Sequence, residues 1–242
     1  MQKFGIIGFP LSHSFSQKYF SQKFIDDHIA DSIFEKFEMP DISAVEELIK
    51  DKELKGFCIT LPYKKSIIHY LYESSDDVKE TGACNCVRII DGKLYGYNTD
   101  VIGFEKSFTQ HLSTHHTKAL ILGTGGAAAA VEFVLKKLGI EYKFVSRNKT
   151  ANNFSYDELN QAILEEYTVI VNCTPLGTFP NTDEAPLLPY QFITQQHYLF
   201  DMVYNPPLTK FLSLGKEKNA TIQNGYDMLV FQAEENWKIW NE

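Results

Sequence analysis

The stretch KALILGTGGAAAAVEFVLKKLG, from Lys118 to Gly139, constrains the fold of this chain more than any other. Its apolar run from Ala119 to Leu122 is typical of a buried parallel strand, and three glycines follow within the next four positions. A helix is predicted after them, because apolar residues recur three and four positions apart until Gly139, which suits a helix C-cap. The pattern therefore predicts a strand, a tight turn and a helix.

The turn carries the spacing Gly123-x-Gly125-x-x-Ala128. Such a turn directs free backbone N–H groups, at the positive end of a helix, towards the crevice beyond the strand, where a pyrophosphate can bind. Alanine in the third place is accepted by the dinucleotide-binding fold. The spacing favours a dinucleotide site, and the alternative is another α/β protein in which the alanines only pack.

The end of the next predicted strand indicates which dinucleotide is bound. This strand, Glu141 to Val145, is followed by Ser146 and Arg147, about 20 residues past the turn, where an NAD-binding protein carries Asp or Glu. A guanidinium can pair bidentately with a 2′-phosphate, so the sequence predicts NADP rather than NAD. The alternative for Arg147 is an ordinary solvated surface residue.

Length and charge limit the possible functions. A chain of 242 residues is long enough for two modest domains. Its formal net charge of −8 argues against a general affinity for nucleic acid or for anionic membranes. The N-terminus does not resemble a signal peptide, and no apolar run is long enough to span a bilayer.

The four cysteines, Cys58, Cys84, Cys86 and Cys173, fall within or beside predicted strands rather than in a framework of loops. This distribution is typical of a reducing compartment, so we expect a cytoplasmic protein. Cys84 and Cys86 would point to the same face of a strand, but no companion ligand accompanies them, and no metal is predicted.

Strands and helices also alternate before the glycine turn. This pattern is typical of a second, mainly parallel sheet. Asp91-Gly92, between two apolar runs, is a strong signal for a β-hairpin. After the turn the alternation continues, with a helix predicted from Tyr156 to Glu166 and a strand from Thr168 to Cys173. The fold class is therefore α/β with two domains.

Three serines, Ser12, Ser14 and Ser16, cluster at the predicted start of the first helix. Serine is common at this position because its hydroxyl caps free N–H groups. The functional alternative is that the hydroxyls and the helix N-terminus together hold a carboxylate.

Several separated motifs resemble one family, the shikimate dehydrogenases, which reduce 3-dehydroshikimate with NADPH. The motifs occur in the family's order and span nearly the whole chain. They are Gly8-Phe9-Pro10-Leu11-Ser12-His13-Ser14, Thr60-Leu61-Pro62-Tyr63-Lys64, Gly82-Ala83-Cys84-Asn85, Asn98-Thr99-Asp100, Gly123-x-Gly125-Gly126-Ala127, Asn172-Cys173-Thr174-Pro175-Leu176-Gly177, Asp201-x-x-Tyr204-Asn205-Pro206 and Asn224-Gly225-x-x-Met228-Leu229-Val230-x-Gln232-Ala233.

The resemblance implies a role for individual residues. Ser14 and Ser16, with help from Tyr204, would hold the substrate carboxylate. Thr60, Asn85 and Gln232 would contact ring hydroxyls or the carboxylate, and Lys64 with Asp100 would stand at the reacting carbon. Cofactor contacts are implied at Gly123, Gly125, Gly126, Ala127, Ser146, Arg147, Thr174, Gly225 and Met228.

The resemblance also implies the domain plan. Residues 1–100 with 225–242 would form the substrate-binding catalytic domain, residues 101–224 a Rossmann-type NADP-binding domain, and a cleft would lie between them. The protein would be a monomer or a homodimer that binds shikimate and NADP, with neither nucleic acid nor membrane as a partner.

Two positions differ from the family's usual pattern. The family usually has Asn two residues before its Thr in the third-strand motif, whereas this chain has Cys58, which lacks an amide's donor and acceptor. A second basic residue often follows the arginine position in members that use NADP, and here Lys149 is the candidate.

Oxidising a ring alcohol requires a group that takes the hydroxyl proton while hydride leaves. We expect Lys64 to exchange this proton and Asp100 to orient it, although the reversed roles remain open because coupled groups titrate together. A structural salt bridge is the alternative for the pair.

Two other functions compete with an NADP-dependent shikimate dehydrogenase. A quinate/shikimate dehydrogenase that uses NAD would share nearly every motif. A catalytically silent nucleotide-sensing homologue would keep the fold, but it has no need of a paired Lys64 and Asp100.

Overall fold

The computed structural model of the protein describes residues 1–11, 14–147, 149 and 153–242. Ser12 and His13 of the first motif, and Asn148 after Arg147, therefore lie outside the described residues. Two compact units make up the chain: unit 1 is Met1–Gly103 with Leu229–Glu242, and unit 2 is Phe104–Met228. The roles assigned to the domains stay predictions.

The described part of unit 1 contains a six-stranded mixed sheet in the order β2-β1-β3-β5-β6-β4. Its strands are β1 Gln2–Gly8, β2 Ser32–Glu38, β3 Leu54–Ile59, β4 Glu73–Ser74, β5 Cys86–Ile90 and β6 Lys93–Tyr97. β1 runs parallel to β2 and β3, β4 runs parallel to β6, and β5 is antiparallel to both of its neighbours. The predicted hairpin forms around Asp91 and Gly92, whose φ angles of 50° and 74° suit a two-residue turn.

Helices cover both faces of this sheet. They are α1 Phe15–Asp26, α2 Val45–Leu48, α3 Asp76–Thr81 and the start of α4 Thr99–Phe108, with short 3₁₀ turns at Ile42–Ala44 and Ser66–Tyr70. On one face Val45, Ile67 and Val78 pack against buried strand residues such as Phe57. On the other face Phe20 from α1 and Trp240 from the C-terminal helix pack on Phe4 of β1, with the Phe4 and Trp240 ring centroids 4.9 Å apart.

Unit 2 contains a six-stranded sheet in which every described pairing is parallel, in the order β12-β11-β10-β7-β8-β9. Its strands are β7 Lys118–Leu122, β8 Glu141–Ser146, β9 Asn153–Ser155, β10 Val169–Asn172, β11 Tyr198–Asp201 and β12 Thr221–Asn224. Numbered within the unit, the strand order is 3-2-1-4-5-6, that of the doubly wound dinucleotide-binding fold. The predicted fold class is therefore confirmed.

The remaining helices of the described chain are α5 Gly126–Lys137, α6 Gln161–Glu166, α7 Lys210–Lys216 and α8 Tyr226–Asn241, and α8 belongs to unit 1 from Leu229 onward. Short 3₁₀ turns lie at Thr109–His111, Tyr156–Glu158 and Tyr190–Phe192. Gly139 follows α5 with a φ of 69°, the left-handed conformation expected after a helix end. None of the helices described in the chain combines the length and apolar character needed to cross a bilayer.

One predicted helix was wrong. The segment from Tyr156 to Glu166 is not continuous, because the 3₁₀ turn ends before Leu159 and α6 begins only at Gln161. The side chain of Asn160 accepts a hydrogen bond from the N–H of Ile163, which caps α6 and starts a new helix.

Candidate active site

The glycine turn of unit 2 follows β7 at the point where the strand order reverses, between β7 and β10. Gly123 has a φ of 93°, and a Cβ there would stand 3.0 Å from Cγ2 of Thr174, in the loop after β10. Glycine is needed at this position because the φ angle is positive and because a Cβ would crowd Thr174. The turn and the loop after β10 therefore lie side by side at the switch point, where ligands bind in open α/β sheets.

Gly125 and Gly126 differ from Gly123, because a Cβ on either would meet no protein atom within 4 Å. Gly125 also has an ordinary φ of −75°, so its backbone does not require glycine. These two positions keep open space at the N-terminus of the 12-residue helix α5. A pyrophosphate fits there, because its oxygens can approach the free N–H groups of the first helical turn.

A cavity of about 710 Å³ opens at this turn. It is lined by Gly123, Thr124, Gly125, Phe144, Ser146, Arg147, Asn153, Tyr156, Cys173, Thr174, Pro175 and Leu176. Five residues of the predicted cofactor set are among them, and Gly126 and Ala127 lie in the first turn of α5 beside them. The volume is in the range of sites for small molecules and cofactors.

Gly225 and Met228, also in the predicted cofactor set, are not among the residues that line this cavity. Gly225 lies between β12 and α8, where a Cβ would stand 2.4 Å from the carbonyl oxygen of Met202. This close approach of two backbone segments requires glycine without any ligand. Met228 is buried in α8.

Two cationic residues, Arg147 and Lys149, follow β8, and their surroundings differ. Arg147 is exposed and lines the cavity. Lys149 forms an ion pair with Glu158, and the pKa of Glu158 is lowered to about 2, first by its hydrogen bond with Lys149 and then by the N–H of Ser155. Among the described residues that line this cavity, Arg147 is therefore the cation that can pair with a 2′-phosphate.

The loop that carries Thr174 is held by a buried polar network that the sequence alone did not reveal. Asn172 Oδ1 accepts hydrogen bonds from the N–H and the hydroxyl of Thr174, at 3.0 and 2.6 Å. Asn172 Nδ2 donates to Asp201 Oδ1 at 2.9 Å, and Thr209 donates to Asp201 Oδ2 at 2.6 Å. Asn172 and Asp201 both belong to motifs of the sequence, but the motifs do not show that the two side chains bond to each other.

In unit 1 the polar motifs meet at one edge of the mixed sheet because of strand direction. β1, β3 and β6 all end at this edge, and the antiparallel β5 begins there. Thr60 therefore follows β3, Asn85 precedes β5, and Asp100 follows β6. The backbone fixes this neighbourhood, since the N–H of Ile59 donates to the carbonyl of Asn85 at 2.8 Å.

Lys64 and Asp100 form an ion pair at this edge, with Nζ and Oδ2 2.5 Å apart. The turn that carries Lys64 is anchored by Tyr63, whose buried hydroxyl donates to the carbonyl of Met39 at 2.6 Å. The carbonyl of Lys64 itself accepts from the N–H of Cys84 at 2.7 Å. Asp100 lies in the first turn of α4, where a carboxylate is favoured by the helix dipole.

Ser14 and Ser16 lie at the start of α1. Ser14 is the N-cap and its oxygen accepts from the N–H of Gln17 at 3.2 Å, which leaves its hydroxyl proton to donate elsewhere. Ser16 is buried and its hydroxyl contacts the thiol of Cys58. Capping and carboxylate binding are therefore compatible at Ser14.

Cys58 occupies the position where the family pattern has asparagine. Burial raises the pKa of its thiol to about 12, so the thiol stays protonated at neutral pH. The amide of Asn236, on α8, reaches this point and donates to the sulfur at 3.2 Å. An amide thus stands beside Cys58, although it comes from another element.

Asn85 and Gln232 belong to the same hydrogen-bonded chain of side chains. Asn85 Oδ1 accepts from the N–H of Thr99 at 2.7 Å, and Gln232 Oε1 accepts from Asn236 at 3.2 Å. Thr60 lies directly after β3, and its N–H donates to the carbonyl of Ile7 at 3.0 Å. Tyr204 is in unit 2, follows β11, and keeps 37% of its surface exposed.

The fold and the glycine turn define a two-domain α/β protein of the Rossmann dinucleotide-binding class. Residues 6–87 match the shikimate dehydrogenase substrate binding domain. The shikimate dehydrogenase (NADP(+)) of Clostridium beijerinckii is 37% identical over 252 residues, which cover 100% of this chain and 93% of that protein. The chain belongs to the shikimate dehydrogenase family, as the sequence motifs predicted.

Solved structures agree with this assignment. The crystal structure of shikimate dehydrogenase from Aquifex aeolicus has a TM-score of 0.88 at 33% identity, and the match covers 100% of this chain and 92% of that one. Shikimate 5-dehydrogenase from Thermus thermophilus, in complex with NADP(H) and shikimate, has a TM-score of 0.86 at 27% identity, with 99% and 93% covered.

Proposed function

We propose that this chain is an NADP-dependent shikimate dehydrogenase, which interconverts 3-dehydroshikimate and shikimate. The observation that carries the proposal is the Lys64–Asp100 ion pair, at the sheet edge where the polar strand ends meet. Its relatives support the same activity, because they are named NADP-dependent shikimate dehydrogenases and align with this chain over nearly their whole length.

The cofactor side of the proposal assigns NADP to the cavity after β7. The open space at Gly125 and Gly126 would hold the pyrophosphate, and Arg147 would pair with the 2′-phosphate. NADPH, when bound, supplies the hydride for reduction of the ketone. Ser146 and Thr174, on the walls of the same cavity, complete the proposed contacts.

The protein supplies the proton. In reduction, the ammonium of Lys64 donates a proton to the ketone oxygen as the carbon gains hydride, so an alcohol forms and Lys64 becomes neutral. Asp100 holds the ammonium of Lys64 at 2.5 Å and so orients it for the transfer. In oxidation the neutral amine accepts the hydroxyl proton, so the same pair serves both directions.

The carboxylate of the substrate is assigned to the start of α1. Ser14 and Ser16 present hydroxyls at the N-terminus of a 12-residue helix, whose free N–H groups favour an anion. Tyr204 is proposed to assist them, and Thr60, Asn85 and Gln232 to contact the ring hydroxyls or the carboxylate.

We place the reaction in the cytoplasm, in keeping with four free cysteine thiols. Assembly as a monomer or a homodimer stays a prediction.

Turnover of shikimate tests the proposal. The purified protein is mixed with shikimate and either NADP or NAD, and the absorbance of the reduced nicotinamide is followed. We expect turnover with NADP, a lower kcat/KM with NAD, and loss of activity in Lys64→Ala. Faster turnover of quinate with NAD would identify a quinate/shikimate dehydrogenase, and silence with both cofactors would contradict both enzyme assignments.

A further inference from the structure

Asn236 of α8 has no surface exposed and connects three other side chains. Its Oδ1 lies 2.6 Å from the hydroxyl of Thr99, and its Nδ2 lies 3.2 Å from both Gln232 Oε1 and Cys58 Sγ. Gln232 is a proposed substrate contact, and Thr99 precedes Asp100. Asn236 therefore lies directly behind the residues proposed to hold the substrate ring.

At the Gln232 end of this network, a backbone carbonyl decides which way the side-chain amide is turned. Gln232 Nε2 donates to the carbonyl oxygen of Leu229 at 3.0 Å, and a carbonyl can only accept. Gln232 must therefore turn Oε1 towards Asn236. Two acceptors cannot bond, so Asn236 presents Nδ2 to Gln232 and Oδ1 to Thr99.

The other end is fixed by a backbone N–H. The N–H of Thr99 can only donate, and Asn85 places Oδ1 2.7 Å from it. The Thr99 hydroxyl has a single proton and two oxygen acceptors nearby, Asn236 Oδ1 at 2.6 Å and Asn85 Oδ1 at 3.1 Å, and the shorter contact with Asn236 takes the proton. The orientation of all three amides thus follows from two backbone groups, Leu229 C=O and Thr99 N–H.

We propose that Asn236 is a positioning residue that holds Gln232 and Thr99 so that the substrate site presents amide N–H donors. Asn236 Nδ2 occupies the oxygen of Gln232, and Asn236 Oδ1 holds the hydroxyl of Thr99, whose backbone N–H in turn occupies the oxygen of Asn85. Both amides therefore keep N–H groups for the substrate. This inference rests on the proposed function, in which those two amides contact ring oxygens. The oxygen of a ring hydroxyl can accept from such an N–H donor, whereas an amide oxygen turned to the substrate could only accept the proton of the hydroxyl. The orientation of the two amides therefore decides how the ring hydroxyls are held.

The variant Asn236→Asp tests this role because it keeps the size of the side chain and replaces the donor by an acceptor. Gln232 Oε1 would then face an oxygen. We expect the KM for shikimate to rise about tenfold or more, the equivalent of at least one hydrogen bond, while the KM for NADP changes less than about twofold. Asn241→Asp, the same change at an exposed position of the same helix, is the matched control and should match the wild type.

A second variant keeps the test decisive if Asn236→Asp does not fold. Thr99→Val removes the hydroxyl at nearly constant volume and should raise the KM for shikimate in the same way. Thr99→Ser retains the hydroxyl and should keep the wild-type KM. Shikimate analogues that lack one ring hydroxyl give an independent readout. The penalty of either variant should shrink for the analogue without the hydroxyl that the amides contact.

The possible failures are distinguishable. Wild-type turnover of shikimate, with an unchanged KM in both variants, would overturn the positioning role alone. An equal rise in KM for shikimate and for every deoxy analogue, together with a lower Tm, would also overturn it in favour of a purely structural role. A wild-type protein that does not turn over shikimate would overturn the proposed function and this inference together.

Discussion

The Nζ atom of Lys64 lies 2.5 Å from Oδ2 of Asp100, although 36 positions separate the two residues along the chain. Their side chains are 27% and 17% exposed, so the pair is shielded on most sides and still open to a ligand. The turn after β3 and the first turn of α4 hold the two groups together at the edge of the mixed sheet. An ion pair placed in this way can pass a proton to a bound molecule.

Replacing Lys64 by Ala should lower kcat by about 10²–10⁴-fold, with a smaller change in KM, because general acid–base catalysis is lost. Steady-state kinetics with shikimate and NADP measure this effect. Lys65→Ala, at the exposed neighbouring lysine, is the matched control and should retain wild-type kinetics. A folded Lys64→Ala enzyme with near wild-type kcat would show that the ion pair is only structural.

Replacing Arg147 by Ala should raise the KM for NADP and leave the KM for NAD nearly unchanged. A lost hydrogen bond to a charged group corresponds to about 1.5–3 kcal/mol, or roughly 10- to 100-fold in KM. Lys149→Ala should have a smaller effect, because Glu158 already neutralises that lysine. Equal losses with both cofactors in Arg147→Ala would indicate that the arginine supports the fold instead.

Two replacements of Ser14 separate capping from carboxylate binding. Asn and Asp both cap helices well, so Ser14→Asn and Ser14→Asp should each retain the wild-type Tm. Asp would in addition repel the carboxylate of the substrate, so Ser14→Asp should raise the KM for shikimate well above that of Ser14→Asn. If the two variants have the same KM, the substrate carboxylate does not bind at the start of α1.

Asp201 should make the folded protein less stable as pH rises. Burial raises the pKa of this carboxyl from its ordinary value near 4 to about 6, and Thr209, Val203 and Asn172 only partly offset that shift. The folded state therefore holds the proton more tightly than the unfolded state, and the resulting stability is present below about pH 4 and lost as pH rises through about 6. The difference is on the order of 3 kcal/mol, at about 1.4 kcal/mol for each pKa unit.

Urea unfolding at several pH values measures this effect. The free energy of unfolding of the wild type should fall relative to that of Asp201→Asn between about pH 4 and pH 7. Asp183→Asn, at an exposed aspartate of the same unit, should show no such trend. Parallel curves for wild type and Asp201→Asn would mean that Asp201 titrates alike in the folded and unfolded states.

Local patterns predicted the regular elements of both units well. The glycine turn and α5 follow from backbone conformation and helical periodicity, both of which depend on neighbouring residues. Two short strands were missed, Glu73–Ser74 and Asn153–Ser155, because so few residues show no alternation. The break at Asn160 was missed because apolar residues continue on both sides of it, so the sequence pattern of an asparagine that caps a new helix is the same as that of an asparagine inside one long helix.

By itself, the sequence determined the α/β class, the dinucleotide turn and the family, because each depends on residues close together in the chain or on motifs in a fixed order. Only the tertiary structure decided which polar groups face one another. The direction of β5 brings Asn85 to the end of β3, and α8 brings Asn236 to Cys58, 178 positions away. Such contacts depend on strand pairing and helix packing, which no local pattern encodes.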